Sequence, residues 1–132
     1  MSSKPVIEEI LEGGDELSKL KADVLRALAV FNGVSWMSEL LPDILKIRGY
    51  SIDYMPSEKL LEEALGQLEA AKLVSVEARR RGDFPSKRIY VDKLVRLRDP
   101  ETVRRMLASD EIYKSYLSRQ LEILRRAAAK RD

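Results

Sequence analysis

Two short β-type runs flank one basic, turn-forming segment, and this arrangement limits the possible folds more than any other feature of the chain. Leu73-Val74-Ser75-Val76-Glu77-Ala78 sets Val74, Val76 and Ala78 on one face by two-residue alternation. Ile89-Tyr90-Val91 alternates again. Between the runs lies Arg79-Arg80-Arg81-Gly82-Asp83-Phe84-Pro85-Ser86-Lys87-Arg88, which holds five cations and the turn formers Gly82, Pro85 and Ser86. The pattern predicts a β-hairpin with strands over 73–79 and 87–92 and a basic tip. Such a tip suits a polyanion; the alternative is a solvated turn.

The rest of the chain has helical periodicity. Val6, Ile7, Ile10 and Leu11 predict a short amphipathic helix over 5–12, stopped by Gly13-Gly14. Asp15 or Ser18 is placed to cap a second helix running to about Phe31, with Leu17, Leu20, Val24, Leu25, Leu28 and Phe31 as its apolar stripe. Asn32-Gly33 ends it. Val34-Ser35-Trp36 reads either as a small strand or as the lead-in to the next helix. That helix spans Met37 to Arg48 and tolerates Pro42 if Ser38 lies near its cap. Ser57 caps another, with Leu60, Leu61, Ala64, Leu65, Leu68 and Ala71 on its buried side. After the hairpin, Asp99-Pro100-Glu101 starts a helix that reaches about Lys130, with a possible restart at Ser109-Asp110-Glu111. The fold class is therefore mainly α with a small β-hairpin and a C-terminal helix. Three parts are expected: a short helix and linker over 1–14, a domain over 15–98, and a helical segment over 99–132.

Composition removes several chemistries. The chain has 132 residues with no cysteine and no histidine. Disulfides, thiolate nucleophiles, imidazole bases and most transition-metal sites are excluded. Glu8-Glu9 and Glu62-Glu63 are adjacent pairs, which point in different directions on a helix and form no facing acid–base couple. Asp53 has no base or nucleophile beside it in the sequence, and Gly13-Gly14 is too little for a nucleotide loop. No enzyme and no cofactor is expected. No apolar run is long enough to cross a membrane, and the N-terminal glutamates exclude a secretory signal core, so a cytoplasmic location is expected. Charge is abundant, and the labile amides reduce to one Asn and two Gln, a thermophilic pattern.

The net charge of +2 hides a division. Residues 1–71 carry 7 cations and 13 anions, and residues 72–132 carry 17 cations and 9 anions. One acidic and one basic surface are expected, and a polyanion suits the basic one.

The order helix, small strand, helix, helix, strand, basic loop, strand, helix over residues 17–92 resembles a winged helix-turn-helix domain. Its spacing is most similar to the PadR-like and MarR-like regulators of bacteria and archaea. In these the third helix runs through a leucine-containing turn into the wing, as Leu65…Leu68-Glu69-Ala70-Ala71-Lys72-Leu73-Val74 does here. Gly82 occupies the place of the wing-side glycine. The PadR-like aromatic of the third helix is absent, and Glu62 and Glu63 stand where those families carry neutral or basic residues.

The resemblance implies double-stranded DNA binding by a dimeric transcriptional regulator or chromatin-like protein. Arg79, Arg80, Arg81, Lys87 and Arg88 are then the phosphate-gripping wing. Lys46 and Arg48 are candidate backbone contacts, and Ser57, Lys59 and Gln67 are the natural donors of the reading helix. Phe84 is a candidate minor-groove wedge or a ring folded onto its own hairpin. Glu58, Glu62, Glu63 and Glu69 oppose phosphate on that helix, which favours either wing-dominated binding or a basic protein partner. The alternative is thus a winged-helix interaction subunit of a larger transcription, replication or segregation complex. Tyr113, Tyr116, Leu117, Leu121, Leu124 and Ala128 form an apolar band. It suits a homodimer helix, as the resemblance implies, or packing on its own domain. Arg119, Arg125, Arg126, Lys130 and Arg131 make the outer side of that helix basic. An effector near Trp36, Tyr50 and Tyr54 is the remaining candidate ligand.

Overall fold

A computed structural model describes residues 3–83 and 85–130. The elements are α1 (Lys4–Glu12), α2 (Glu16–Val30), β1 (Val34–Trp36), α3 (Met37–Ile47), α4 (Glu58–Ala70), β2 (Val74–Asp83), β3 (Arg88–Leu97), α5 (Pro100–Leu107) and α6 (Glu111–Ala129). The protein is mainly α, with one small antiparallel sheet in the order β1-β3-β2. No helix among the described residues is long and apolar enough to cross a membrane.

Local signals fix most helix starts. Asp15 accepts from the Ser18 N–H, Ser57 from Leu60, Asp99 from Thr102 and Asp110 from Tyr113. Each supplies an acceptor to first-turn amides that have no partner within the helix. The Asp110 cap divides the C-terminal segment into α5 and α6.

Helix α2 is the centre of the core. Every residue from Ala22 to Ala29 is buried, and α1, α3, α4 and α5 all rest against it. Leu20, Val24, Leu25 and Leu28 meet Ile7, Leu40, Ile44, Leu61, Leu68 and Leu107 there. The sheet closes one side through Val74, Val95 and Leu97.

Three details resolve or extend the sequence reading. Val34–Trp36 is a strand, paired with Leu94–Arg96. The hairpin is longer than expected, because β3 continues to Leu97 and β2 to Asp83. Alternation runs on through Val95 and Leu97, and Lys93 followed by Leu94 interrupts it in the sequence. Arg80 and Arg81, expected in the loop, are therefore strand residues like Arg79. Gly82 has an ordinary negative φ, and the turn instead uses Lys87, at φ +54°. Third, α3 begins at Met37 as expected, which places Ser38 inside its first turn and Pro42 inside the helix. There the proline ring leaves the Ser38 carbonyl without its usual helical donor.

Candidate nucleic-acid interface

The hairpin rises beyond the core. Antiparallel pairing sets Arg79 opposite Asp92, Arg80 opposite Val91 and Arg81 opposite Tyr90. Directly opposed residues share a face, and neighbours alternate. Arg79 and Arg81 thus lie on one face, and Arg80 on the other.

The two faces have different chemistry. Arg81 donates to Asp92 at 3.0 Å and lies 3.7 Å from Glu39. Its guanidinium is 4.4 Å from the Trp36 ring centroid and 5.7 Å from that of Tyr90. Arginine over aromatic faces is held by the ring quadrupole as well as by its ion pairs. Arg79 pairs with Glu77 at 2.9 Å. Arg80, Lys87 and Arg88 are exposed, and their side chains form no ion pair among the described residues. These three, with exposed Lys93 and Arg96, are the cations of the hairpin that form no ion pair among the described residues.

Asp92 anchors the hairpin to α3. It accepts from Ser38 Oγ at 2.6 Å and from the Ser38 N–H at 3.4 Å, as well as from Arg81. Burial opposes its ionisation, yet these hydrogen bonds and that of the Lys93 N–H outweigh burial and hold its carboxyl below the usual range.

The remaining candidates are dispersed. Ser57 is the cap of α4, and Lys59 is exposed beside it. The Gln67 carbonyl accepts from Lys21 Nζ at 2.9 Å. Glu58, Glu62, Glu63 and Glu69 are all exposed on α4, against Lys59 as its one cation. Lys46 is exposed at the end of α3. Arg48 turns inward and donates to Asp23 at 3.0 Å, its side chain only 12% exposed. Phe84 and Arg131 lie outside the described residues.

Arg48 belongs to a buried ionic network that sequence reasoning missed. Asp23, on α2, accepts from Arg26 at 2.8 Å, from Arg48, and from the Tyr54 hydroxyl at 2.6 Å. Arg26 then forks onto both oxygens of Asp110 at 2.8 Å. Burial, and then its hydrogen bond to Asp23, push the Tyr54 hydroxyl well above the ordinary phenol range, so it remains a donor. Asp53 pairs with Lys19 and Arg48. The signal for this network was the position of Asp23: it lies on the stripe Leu20, Val24, Ala27, Leu28, where a carboxylate needs partners. Tyr54 is therefore structural, Tyr50 is exposed, and Trp36 lies beneath Arg81.

Helix α6 splits in two. Tyr113 and Tyr116 face the domain's own core. Beyond Tyr116 every described residue of the helix is exposed, including Leu117, Leu121, Leu124 and Ala128. Arg119 reaches back to the Ile47 carbonyl at 2.8 Å.

No family model matches this chain, and a search of curated proteins finds no match.

Proposed function

We propose that this protein binds double-stranded DNA as a homodimer, with the β2–β3 hairpin as a wing and the role of a transcriptional regulator or chromatin-like protein in the cytoplasm. The carrying observation is the projecting hairpin whose Arg80, Lys87 and Arg88 are exposed and form no ion pair among the described residues. Phosphate is the ligand such arginines and lysines serve best, and a hairpin of this length can follow a DNA backbone. The element order from α2 to β3 supports the winged-helix reading and its likeness to PadR-like and MarR-like regulators.

The acidic face of α4 makes this wing-led binding. Glutamates at groove distance repel phosphate, so Ser57, Lys59 and Gln67 add little sequence reading, and shape and backbone contacts dominate. The exposed leucines of α6 support the dimer, since a stripe at Leu117, Leu121 and Leu124 gains by burial against a second copy. The acidic α4 face also supports a second reading, an interaction subunit that meets a basic protein.

The test is fluorescence anisotropy with a duplex across a salt series. If about four cations engage per protomer, log K falls with log salt at a slope near −3.6 per protomer, and about twice that for a dimer. Arg80/Lys87/Arg88→Ala should flatten the slope and weaken binding. A flat wild-type signal at low salt, or an unaffected variant, overturns the DNA reading.

A further inference from the structure

Strand β3 has an open edge. Strand β1 pairs only with Leu94, Val95 and Arg96, and the chain then turns into α3. The ladder shows which groups lie on that edge. The Leu97 N–H reaches the Gly33 carbonyl on the β1 side at 2.8 Å, and the Arg98 N–H reaches the Leu73 carbonyl on the β2 side at 3.0 Å. Alternation therefore turns the N–H and C=O of odd-numbered β3 residues toward β1. At Lys93 the N–H is taken by the Asp92 carboxylate at 2.8 Å. At Val91 and Ile89 no strand covers that side among the described residues, and the two residues are 69% and 74% exposed. An uncovered apolar edge is a template for another strand.

A hollow of about 340 Å³ adjoins this edge, lined by Met37, Leu41 and Leu61 together with Val91. Glu58 and Glu62 of α4 also line it and are exposed. Lys93 is the single cation among its lining residues. The hollow therefore offers main-chain donors and acceptors, an apolar floor and an acidic rim. Phosphate suits neither the apolar floor nor the acidic rim. An extended chain carrying an apolar side chain between lysines or arginines matches all of them: its backbone pairs with Ile89 and Val91, its apolar residue enters the hollow, and its cations meet Glu58 and Glu62.

We propose that the β3 edge at Ile89–Val91 takes an extended, basic and apolar peptide segment of a protein partner as an added strand in line with β1. This inference rests on the second reading, a basic protein partner at α4, and is separable from the DNA reading through Arg80: Arg88 of the wing begins β3, but the open arginine Arg80 lies on β2.

The test uses the full chain, isotope-labelled, titrated at about 150 mM salt to screen long-range attraction. The probes are acetyl-Lys-Val-Lys-Ile-Lys-Val-Lys-amide and its counterpart with glutamate for every lysine. The lysine peptide should bind saturably, slow amide exchange at Ile89 and Val91, and bind at least about tenfold more tightly than the glutamate peptide, the effect of a complementary charged rim. Val91→Pro removes the edge donor, and on this ladder it spares the bonds to β2. It should lose the binding while the circular dichroism of the fold persists. Glu58→Lys/Glu62→Lys lies on an exposed helix face and should reverse the preference between the peptides, which keeps the proposal testable should Val91→Pro unfold. Absence of slowed exchange at millimolar peptide overturns the proposal. So does unchanged preference in the Glu58→Lys/Glu62→Lys variant, or sedimentation showing a dimer that Val91→Pro dissociates, which makes a second copy the occupant. Arg80→Ala separates the two readings: duplex affinity should fall and peptide affinity should not.

Discussion

Asp92 caps a helix whose first turn lies 54 residues before it in the chain: its carboxylate accepts both the hydroxyl and the N–H of Ser38. Helix α3 has no side-chain cap of its own, since Trp36 holds the cap position. The sheet supplies the missing acceptor, and it places a negative charge near the positive end of the helix. Arg81 donates to the same carboxylate oxygen that accepts the Ser38 hydroxyl, so the hairpin, the sheet and α3 form one braced unit.

Removing that brace should be measurable. Asp92→Ala should lower stability by about 1–2 kcal/mol, the usual worth of an N-cap, read from urea denaturation. The amide resonances of Ser38 and Arg81 should shift together, because the same carboxylate holds both. Loss of stability below about 0.3 kcal/mol would mean that the cap is not formed.

The Asp23 network should respond more strongly. Asp23→Ala leaves Arg26 and Arg48 buried without their common partner, and should cost about 3–5 kcal/mol. Tyr54→Phe removes one hydrogen bond to a charged group and should cost about 1.5 kcal/mol. The double variant should fall short of the sum, since both act on the same carboxylate, and a thermodynamic cycle from urea midpoints measures the shortfall.

Acid should weaken the fold through specific carboxylates. Burial opposes ionisation of Asp110, yet the Arg26 fork and the Tyr113 N–H outweigh it and keep its carboxyl below the ordinary range. Asp92 is depressed as described, and Asp99 is depressed mainly by its hydrogen bonds to Thr102. A group whose folded pKa lies below its unfolded value of about 3.9 gives its full stabilisation above that value. The contribution is lost as pH falls through the folded pKa. Asp43, raised chiefly by burial, acts with the opposite sign. With no histidine in the chain, urea midpoints should stay level from about pH 6 to 8 and fall below about pH 4. Asp110→Asn should be less stable at neutral pH and should shallow the acid fall.

The outer half of α6 yields a prediction about assembly. Wild type should sediment as a dimer, and Leu117→Asp or Leu121→Asp as a monomer with a fold of unchanged circular dichroism. Both leucines are exposed, at 43% and 49%, so charge there does not enter the domain's own core. A monomeric wild type ends the dimer-helix reading.

The elements were legible in the sequence to the extent that they carry local signals. Asp15, Ser57, Asp99 and Asp110 each announced a helix, because capping acts over three residues. The hairpin was legible through alternation at Val74, Val76 and Val91. What escaped depends on distance along the chain. Nothing near Ser38 reveals that Asp92 will cap its helix, and Arg26 shows no local sign of meeting Asp110. The charge run 79–81 read as one patch, because a linear sequence does not show that strand geometry sends Arg80 one way and its neighbours the other. Arg48 read as a surface cation for the same reason, since its partner Asp23 is brought to it only by the packing of α3 on α2.

The Arg26–Asp110 fork has a final consequence. Asp110 is at once the cap that starts α6 and the end of the ionic chain from Asp23. The starting residue of α6 is thereby pinned, and with it the rotational phase of the whole helix. A slip of one residue would swing the leucine stripe by about 100°. The compass bearing along which a second copy can approach is therefore set deep inside α2, far from the leucines that would touch it.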